Sequence, residues 1–172
     1  MAKEAKIVLF YGMGGAAIEW WNTGERAFAP RLEAIGAKVL LVNWNARQVA
    51  YDFMHGFEGF RAYAGDSLGA GSAAQFPGDV DGPVDFAGGF QPSVYDARAH
   101  GGRIEVAKNV VRAHCIYDPV WSDTLGLGNA QYIHAPGAKT KLLITQHRGA
   151  HPDDWGYSQD LIFNEIKGLI GA

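Results

Sequence analysis

A serine flanked by glycines lies near the middle of the chain, and of all the residues it is the clearest candidate for a chemical reaction. Gly65, Ser67 and Gly69 form the pattern G-x-S-x-G, which is typical of a nucleophile at a tight turn between a strand and a helix. Glycines on both sides let the strand and the helix approach each other closely. The following helix directs the positive end of its dipole towards a developing oxyanion. The pattern predicts nucleophilic catalysis by Ser67, and the alternative is a serine that only caps the helix.

The elements that must position this serine alternate between strand and helix. Apolar runs typical of buried strands are found at 6–11, 38–43, 60–64, 84–87, 110–117 and 141–146. Helices are expected at 25–35, 47–57, 67–75, 104–109 and 155–170. This alternation predicts an α/β fold, a three-layer α/β/α sandwich around a mostly parallel sheet of about six strands. No repeat or linker-like stretch divides the chain, so residues 1–172 are expected to form one domain.

Four segments together resemble the α/β-hydrolase superfamily, and the resemblance extends over nearly the whole chain. They are FYGMGG at 10–15, AGDSLGAGSA at 64–73, CIYDP at 115–119 and HRGAH at 147–151. The resemblance implies a serine hydrolase with its triad in the chain order serine, acid, histidine, and an oxyanion hole after the first strand. The chain leaves no room for a lid or cap domain. It is therefore most similar to small, lidless esterases and cutinase-like members, and a long-chain lipase specificity is not expected.

A second family of serine hydrolases shares part of the motif, because residues 65–68 also spell G-D-S-L. In that family the motif lies close to the N-terminus, and an aspartate precedes the catalytic histidine by three residues. Here the motif lies in mid-chain, and neither His147 nor His151 has an aspartate at that spacing. The nucleophile-elbow interpretation is therefore preferred.

The superfamily resemblance implies that the base and the acid are polar residues that follow the late strands. His151 is favoured as the general base because the two residues before it are small, and His147, nearer the strand end, is the alternative. Asp118 follows the strand at 110–117 and precedes a proline, and it is the expected acid that orients the imidazole. Asp96 and Asp123 remain alternative acids.

The same resemblance implies an oxyanion hole built from two backbone N–H groups. Leu68, directly after the nucleophile, supplies one donor, and Met13 in the glycine-rich loop after the first strand supplies the other. Three tryptophans near these loops are weaker candidates for shaping an acyl pocket, since tryptophan more often serves in packing. They are Trp20, Trp21 and Trp121.

Two other functions compete with hydrolysis. Residues 12–17 also fit G-x-G-x-x-A, the opening of a dinucleotide-binding unit. That unit needs a carboxylate at the end of the second strand, where this chain has Asn43-Trp44-Asn45. A hydrolase-fold protein without catalysis is the other alternative, because fold does not fix function.

The acidic loop at Asp79, Asp81 and Asp85 lacks the later glutamate of a calcium loop and predicts a solvated turn. Neither a metal nor an organic cofactor is expected.

Composition limits the classes of partner. The net charge is -3 and no basic stripe is present, so nucleic-acid binding is not expected. The longest apolar runs are strand-sized, too short for a membrane span, and the N-terminus lacks the pattern of a signal peptide. A cytoplasmic protein acting on a small-molecule ester or acyl substrate is therefore expected. Cys115 is the only cysteine and lies in an apolar run, which favours a core position over a reactive thiol.

Overall fold

The structure is a computed structural model that describes residues 4–12, 25–92, 103–119, 131–148 and 155–171. Six strands form one sheet in the order β2-β1-β3-β4-β6-β8, and every neighbouring pair is parallel. The strands, in chain order, are β1 (Ala5–Tyr11), β2 (Ala37–Asn43), β3 (Phe60–Asp66), β4 (Val84–Phe90), β5 (Arg103–Val106), β6 (Val110–Tyr117), β7 (Gln131–His134) and β8 (Lys141–Gln146). The predicted α/β fold with a parallel sheet of about six strands is confirmed.

The described helices are α1 (Glu25–Ala34), α2 (Arg47–Met54), α3 (Leu68–Gln75) and α4 (Trp155–Ile170), with a 3-10 turn at Phe76–Asp79. The closing helix has the predicted bounds. Helix α2 ends three residues before the predicted limit, because His55 leaves the helical conformation at ψ 133 and Gly56 has a positive φ of 69. In the part of the chain that the structure describes, no helix is both long enough and apolar enough to cross a membrane.

The core divides into two clusters on opposite faces of the sheet, because successive side chains of a strand point in opposite directions. Along β1, Val8 and Phe10 belong to the cluster that includes residues of α2 and α3. Ile7 and Leu9 belong to the cluster that includes residues of α1 and α4. Burial on both faces explains why β1 is a continuous apolar run.

Strands β5 and β7 pair with each other in a small parallel sheet. The predicted helix at 104–109 is therefore wrong: Ile104 and Val106 are buried while Arg103 and Glu105 are exposed, which is the period of a strand. The hydroxyl of Tyr132 on β7 donates a hydrogen bond to the carbonyl of Ala70, at 2.6 Å. Helix α3 packs against both the large sheet and β5, so residues 68–74 are all buried.

The sheet has a topological switch point between β1 and β3, its second and third strands. The chain passes from β1 to β2 on one side and then returns to β3 on the other side of β1. Connections that leave adjacent strands in opposite directions open a crevice at the carboxyl ends of those strands. The ends of β1 and β3, at residues 11 and 66, are therefore where the fold favours a ligand site.

Candidate active site

Ser67 occupies a strained turn between β3 and α3. Its backbone has φ 50 and ψ -121, a combination that an L-residue rarely adopts. Such a conformation costs on the order of 1–3 kcal/mol and persists only where the surroundings enforce it. Ser67 stands at the N-cap position, but its side chain makes no capping hydrogen bond. The alternative of a serine that only caps the helix is therefore not supported by its geometry.

Two glycines make this turn possible by removing side chains at its closest contacts. A Cβ at Gly65 would overlap the backbone carbonyl of Gly69. A Cβ at Gly69 would in turn overlap the backbone carbonyl of Phe10 on β1. Strand β3, helix α3 and the end of β1 thus meet at backbone-to-backbone distance, which accounts for the glycines of the G-x-S-x-G pattern.

Burial singles out Ser67 in this part of the chain. All residues from Phe60 to Ala74 are buried except Ser67, which is partly exposed. Its backbone N–H is used within the fold, donating to the carbonyl of Phe90 at 3.1 Å. A strained backbone therefore presents one hydroxyl at the surface of an otherwise closed segment, at the carboxyl edge of the sheet.

Of the two predicted oxyanion donors, Leu68 directly follows this serine in the chain and lies within the described residues. Leu68 is 7% exposed and is the first residue of α3. The N–H groups in the first turn of a helix have no acceptor within the helix, and they lie at its positive dipole end. The end of β1 approaches from the other side: a Cβ at Gly12 would lie 2.9 Å from Ser67 Cβ and 3.4 Å from its Oγ. Met13 is the next residue along the chain.

Asp118 lies at the carboxyl end of β6, where its side chain is 3% exposed. Strand β6 is two positions from β3 in the sheet, which corresponds to about 10 Å. His147 follows the neighbouring β8, and its backbone N–H donates to the carbonyl of Tyr117 at 3.0 Å. Its ring stacks on Tyr157 of α4, with centroids 4.1 Å apart. Asp118 and His147 therefore lie at the same sheet edge as Ser67.

Several predicted site residues lie outside the described part of the chain. They are the favoured base His151, the second oxyanion donor Met13, the alternative acids Asp96 and Asp123, and the tryptophans Trp20, Trp21 and Trp121.

Two residues at this edge were not singled out by the sequence. Gln91, directly after β4, has φ 50 and is the other non-glycine residue with a positive φ in the described ranges. Its backbone N–H donates to the carbonyl of Ile116 at 2.8 Å. Asp66, directly before the serine, is fully buried, and its Oδ1 accepts the backbone N–H of Gly12 at 2.9 Å. Asp66 occupies an unspecified position of the motif, and the proline after Gln91 is a weak turn signal, so neither stood out.

The acidic loop is engaged in structural contacts. The carboxylate of Asp79 accepts two hydrogen bonds from the guanidinium of Arg47. Hydrogen bonding to Asp79 raises the pKa of Arg47. Oδ2 of Asp85 accepts the backbone N–H of Arg61 at 2.8 Å. Among the described residues, no group of three or more His, Cys, Asp or Glu side chains is arranged to hold a metal ion.

The strand order bears on the dinucleotide alternative. The usual dinucleotide-binding order places the third strand beyond the second, whereas β3 here lies on the other side of β1. Strand β2 ends at Asn43, so the described structure has no carboxylate at the position that would hold a ribose. Both observations weigh against that alternative.

Comparison with known proteins adds no assignment. No protein-family model matches the sequence, and a search of curated proteins also gives no match.

Proposed function

We propose that the protein is a serine hydrolase that cleaves a carboxylic ester, or a related acyl bond, through an acyl-enzyme on Ser67. The observation that carries this proposal is the backbone of Ser67, at φ 50 and ψ -121, in a turn that glycines alone permit. The Ser67 side chain makes no capping hydrogen bond to α3, so the strain is accounted for by presentation of the hydroxyl.

The triad is completed by Asp118 as the acid and His151 as the base. Strand β8 is three positions from β3, or about 14 Å. His151 follows His147 by four residues, and four extended residues span about 13 Å. A histidine at 151 thus has the chain length to return from β8 towards Ser67, passing the end of β6 where Asp118 lies. His147, with its ring stacked on Tyr157, is less suited to this role.

The mechanism follows from these roles. His151 accepts the proton of the Ser67 hydroxyl while Oγ attacks the carbonyl carbon of the ester. The oxyanion accepts hydrogen bonds from the N–H groups of Leu68 and Met13. When the intermediate collapses, His151 gives its proton to the departing alcohol and the acyl group stays on Ser67. Water, deprotonated by His151, then attacks the acyl-enzyme and releases the carboxylic acid, and Asp118 orients the imidazole throughout.

A small-molecule ester with a short acyl chain is the proposed substrate. The resemblance to small members without a lid implies little apolar surface for a long acyl chain, so hydrolysis is expected to fall as the chain lengthens. The site requires neither a metal nor an organic cofactor for this chemistry.

The test is hydrolysis of p-nitrophenyl acetate, butyrate and dodecanoate by the purified chain and by four variants. Ser67→Ala, His151→Ala and Asp118→Asn are expected to lose activity by roughly 10^3-fold or more, because each removes a member of one catalytic unit. His147→Ala is the matched control and should stay within about threefold of wild type. Circular dichroism of each variant confirms that it is folded.

Activity retained by a folded Ser67→Ala variant would refute the proposal. Loss of activity in His147→Ala but not in His151→Ala would transfer the role of base to His147 while leaving the serine mechanism intact.

A further inference from the structure

The residue before the nucleophile connects two parts of the site. Asp66 is fully buried at the end of β3, and its Oδ1 lies 2.9 Å from the backbone nitrogen of Gly12, which donates the hydrogen bond. Gly12 is itself buried and directly follows β1. The contact joins segments that are 54 residues apart in the chain.

The side chain of Asp66 accepts a hydrogen bond just beyond the last residue pair of β1 and β3. The register between β1 and β3 ends at the pair of Phe10 and Gly65. Beyond it the chain turns at Ser67, and the buried N–H of Gly12 donates to the carboxylate of Asp66 and so keeps an acceptor. A hydrogen bond to a carboxylate is stronger than one to a neutral carbonyl.

The position of Gly12 matters for chemistry because it lies against the nucleophile. A Cβ there would lie 2.9 Å from Ser67 Cβ and 3.4 Å from Oγ. The chain runs from Gly12 directly into Met13, the second oxyanion donor of the proposed function. Whatever fixes Gly12 relative to Ser67 therefore also fixes where the chain enters the oxyanion hole.

We propose that Asp66 is a positioning residue that holds the start of the oxyanion loop in register with Ser67. This inference rests on the proposed function and adds to it a residue that acts through Gly12 without touching the substrate. Its loss leaves the nucleophile in place and weakens stabilisation of the oxyanion, so that the rate of attack on an electrophile falls.

Asp85 provides a matched control at the opposite edge of the sheet. Its Oδ2 accepts the backbone N–H of Arg61 at 2.8 Å, so it makes the same kind of contact between neighbouring strands. Strand β3 begins at Phe60, which places this contact at the end far from Ser67. Removal of either carboxylate deletes a hydrogen bond to a backbone N–H of the neighbouring strand, and Asp66 is the one of the two that adjoins the site.

The experiment follows labelling by a fluorophosphonate probe over time, with intact-mass analysis giving both the rate and the final labelled fraction. Asp66→Ala is expected to reach full labelling at a rate at least tenfold below wild type, since one oxyanion donor is worth about 10^2–10^3 in rate. Asp66→Asn, which keeps an acceptor oxygen, should recover most of the rate, and Asp85→Ala should label at the wild-type rate. If Asp66→Ala does not fold, Asp66→Ser carries the same expectation, because its hydroxyl is too short to replace the carboxylate.

The final labelled fraction separates positioning from misfolding. A normal rate with partial labelling in Asp66→Ala and Asp66→Ser would mean a mixture of folded and unfolded protein, and would overturn the proposal. Labelling of these variants at the wild-type rate, or Asp66→Asn as slow as Asp66→Ala, would overturn it as well. No labelling of folded wild-type protein would instead refute the proposed function.

Discussion

The elbow at residues 65–69 and the cluster of His114, Thr145 and Glu165 each hold a hydroxyl on a partly exposed residue, but their backbones differ in strain. In the His114 cluster, Nε2 lies 2.8 Å from Thr145 Oγ1 and Nδ1 lies 3.2 Å from Glu165 Oε1. These are the residue types of a triad, already close together. The side chain of His114 is only 2% exposed, and neither it nor Thr145 has a positive φ.

The elbow differs in its backbone. Ser67 is strained and stands directly before α3, whereas Thr145 lies inside β8, flanked by strand residues on both sides. On the proposed function, acid, base and hydroxyl in contact are not sufficient for reaction, and strained presentation of the hydroxyl at the positive end of a helix dipole is needed as well. The His114 cluster, which joins β6, β8 and α4, then has a structural role.

The largest expected effect comes from closing the space that the elbow needs. Gly69→Ala places a Cβ on the carbonyl of Phe10, so β1 and α3 must separate. We expect a loss of about 3 kcal/mol or more in the free energy of unfolding, together with loss of activity. Gly168→Ala is the control: it lies in α4 with no heavy atom within 4 Å of its added Cβ, and should stabilise by about 0.5–1 kcal/mol. Urea unfolding measures the free energy of unfolding of both variants. Equal values for the two variants would contradict the close approach of α3 to β1 at Gly69.

A smaller effect is expected from Thr145→Val in the His114 cluster. The change keeps the shape of the side chain but leaves His114 Nε2 without its partner in a buried position. We expect a loss of about 1–3 kcal/mol in unfolding free energy and ester hydrolysis within about twofold of wild type. Abolished hydrolysis in the folded variant would instead indicate that the His114 cluster, and not the elbow, is the reactive site.

The smallest effect is expected on the pH dependence of stability, from the thiol of Cys115, which is buried in β6. Burial raises the pKa of its thiol to about 12, from an ordinary value of 9.0. Between these values the unfolded chain has lost the thiol proton while the folded chain keeps it, so stability falls as pH rises. The stability difference between wild type and Cys115→Ala should therefore shrink between pH 8.5 and 10.5 in urea titrations. A constant difference would show that the thiol is not held neutral.

Much of the framework could be predicted because buried strands leave a strong local pattern. The run at residues 6–11 has no polar position after Lys6, as burial on both faces of a parallel sheet requires. Strand β4 extends three residues beyond its predicted end, because Gly88 and Gly89 weaken the strand signal. A Cβ at Gly89 would overlap the hydroxyl of Tyr132, so packing across sheets dictates that glycine.

The remaining features depend on contacts that are distant in sequence. β5 and β7 are four residues each, too short for a periodic signal, and they stabilise each other only after the chain between them returns. The G-x-S-x-G spacing could indicate the tight turn at Ser67 because strain and close approach dictate its glycines. It could not indicate Asp66, whose contact is with the distant Gly12, or Gln91, whose backbone bonds to the neighbouring β6.

The most direct test of an activated Ser67 is intact-mass analysis and peptide mapping after treatment with a fluorophosphonate. We predict one covalent adduct, on the peptide that contains Ser67, absent from Ser67→Ala and retained in Thr145→Val. A folded wild-type protein that forms no adduct, or a Ser67→Ala variant that still forms one, would contradict an activated serine at the elbow.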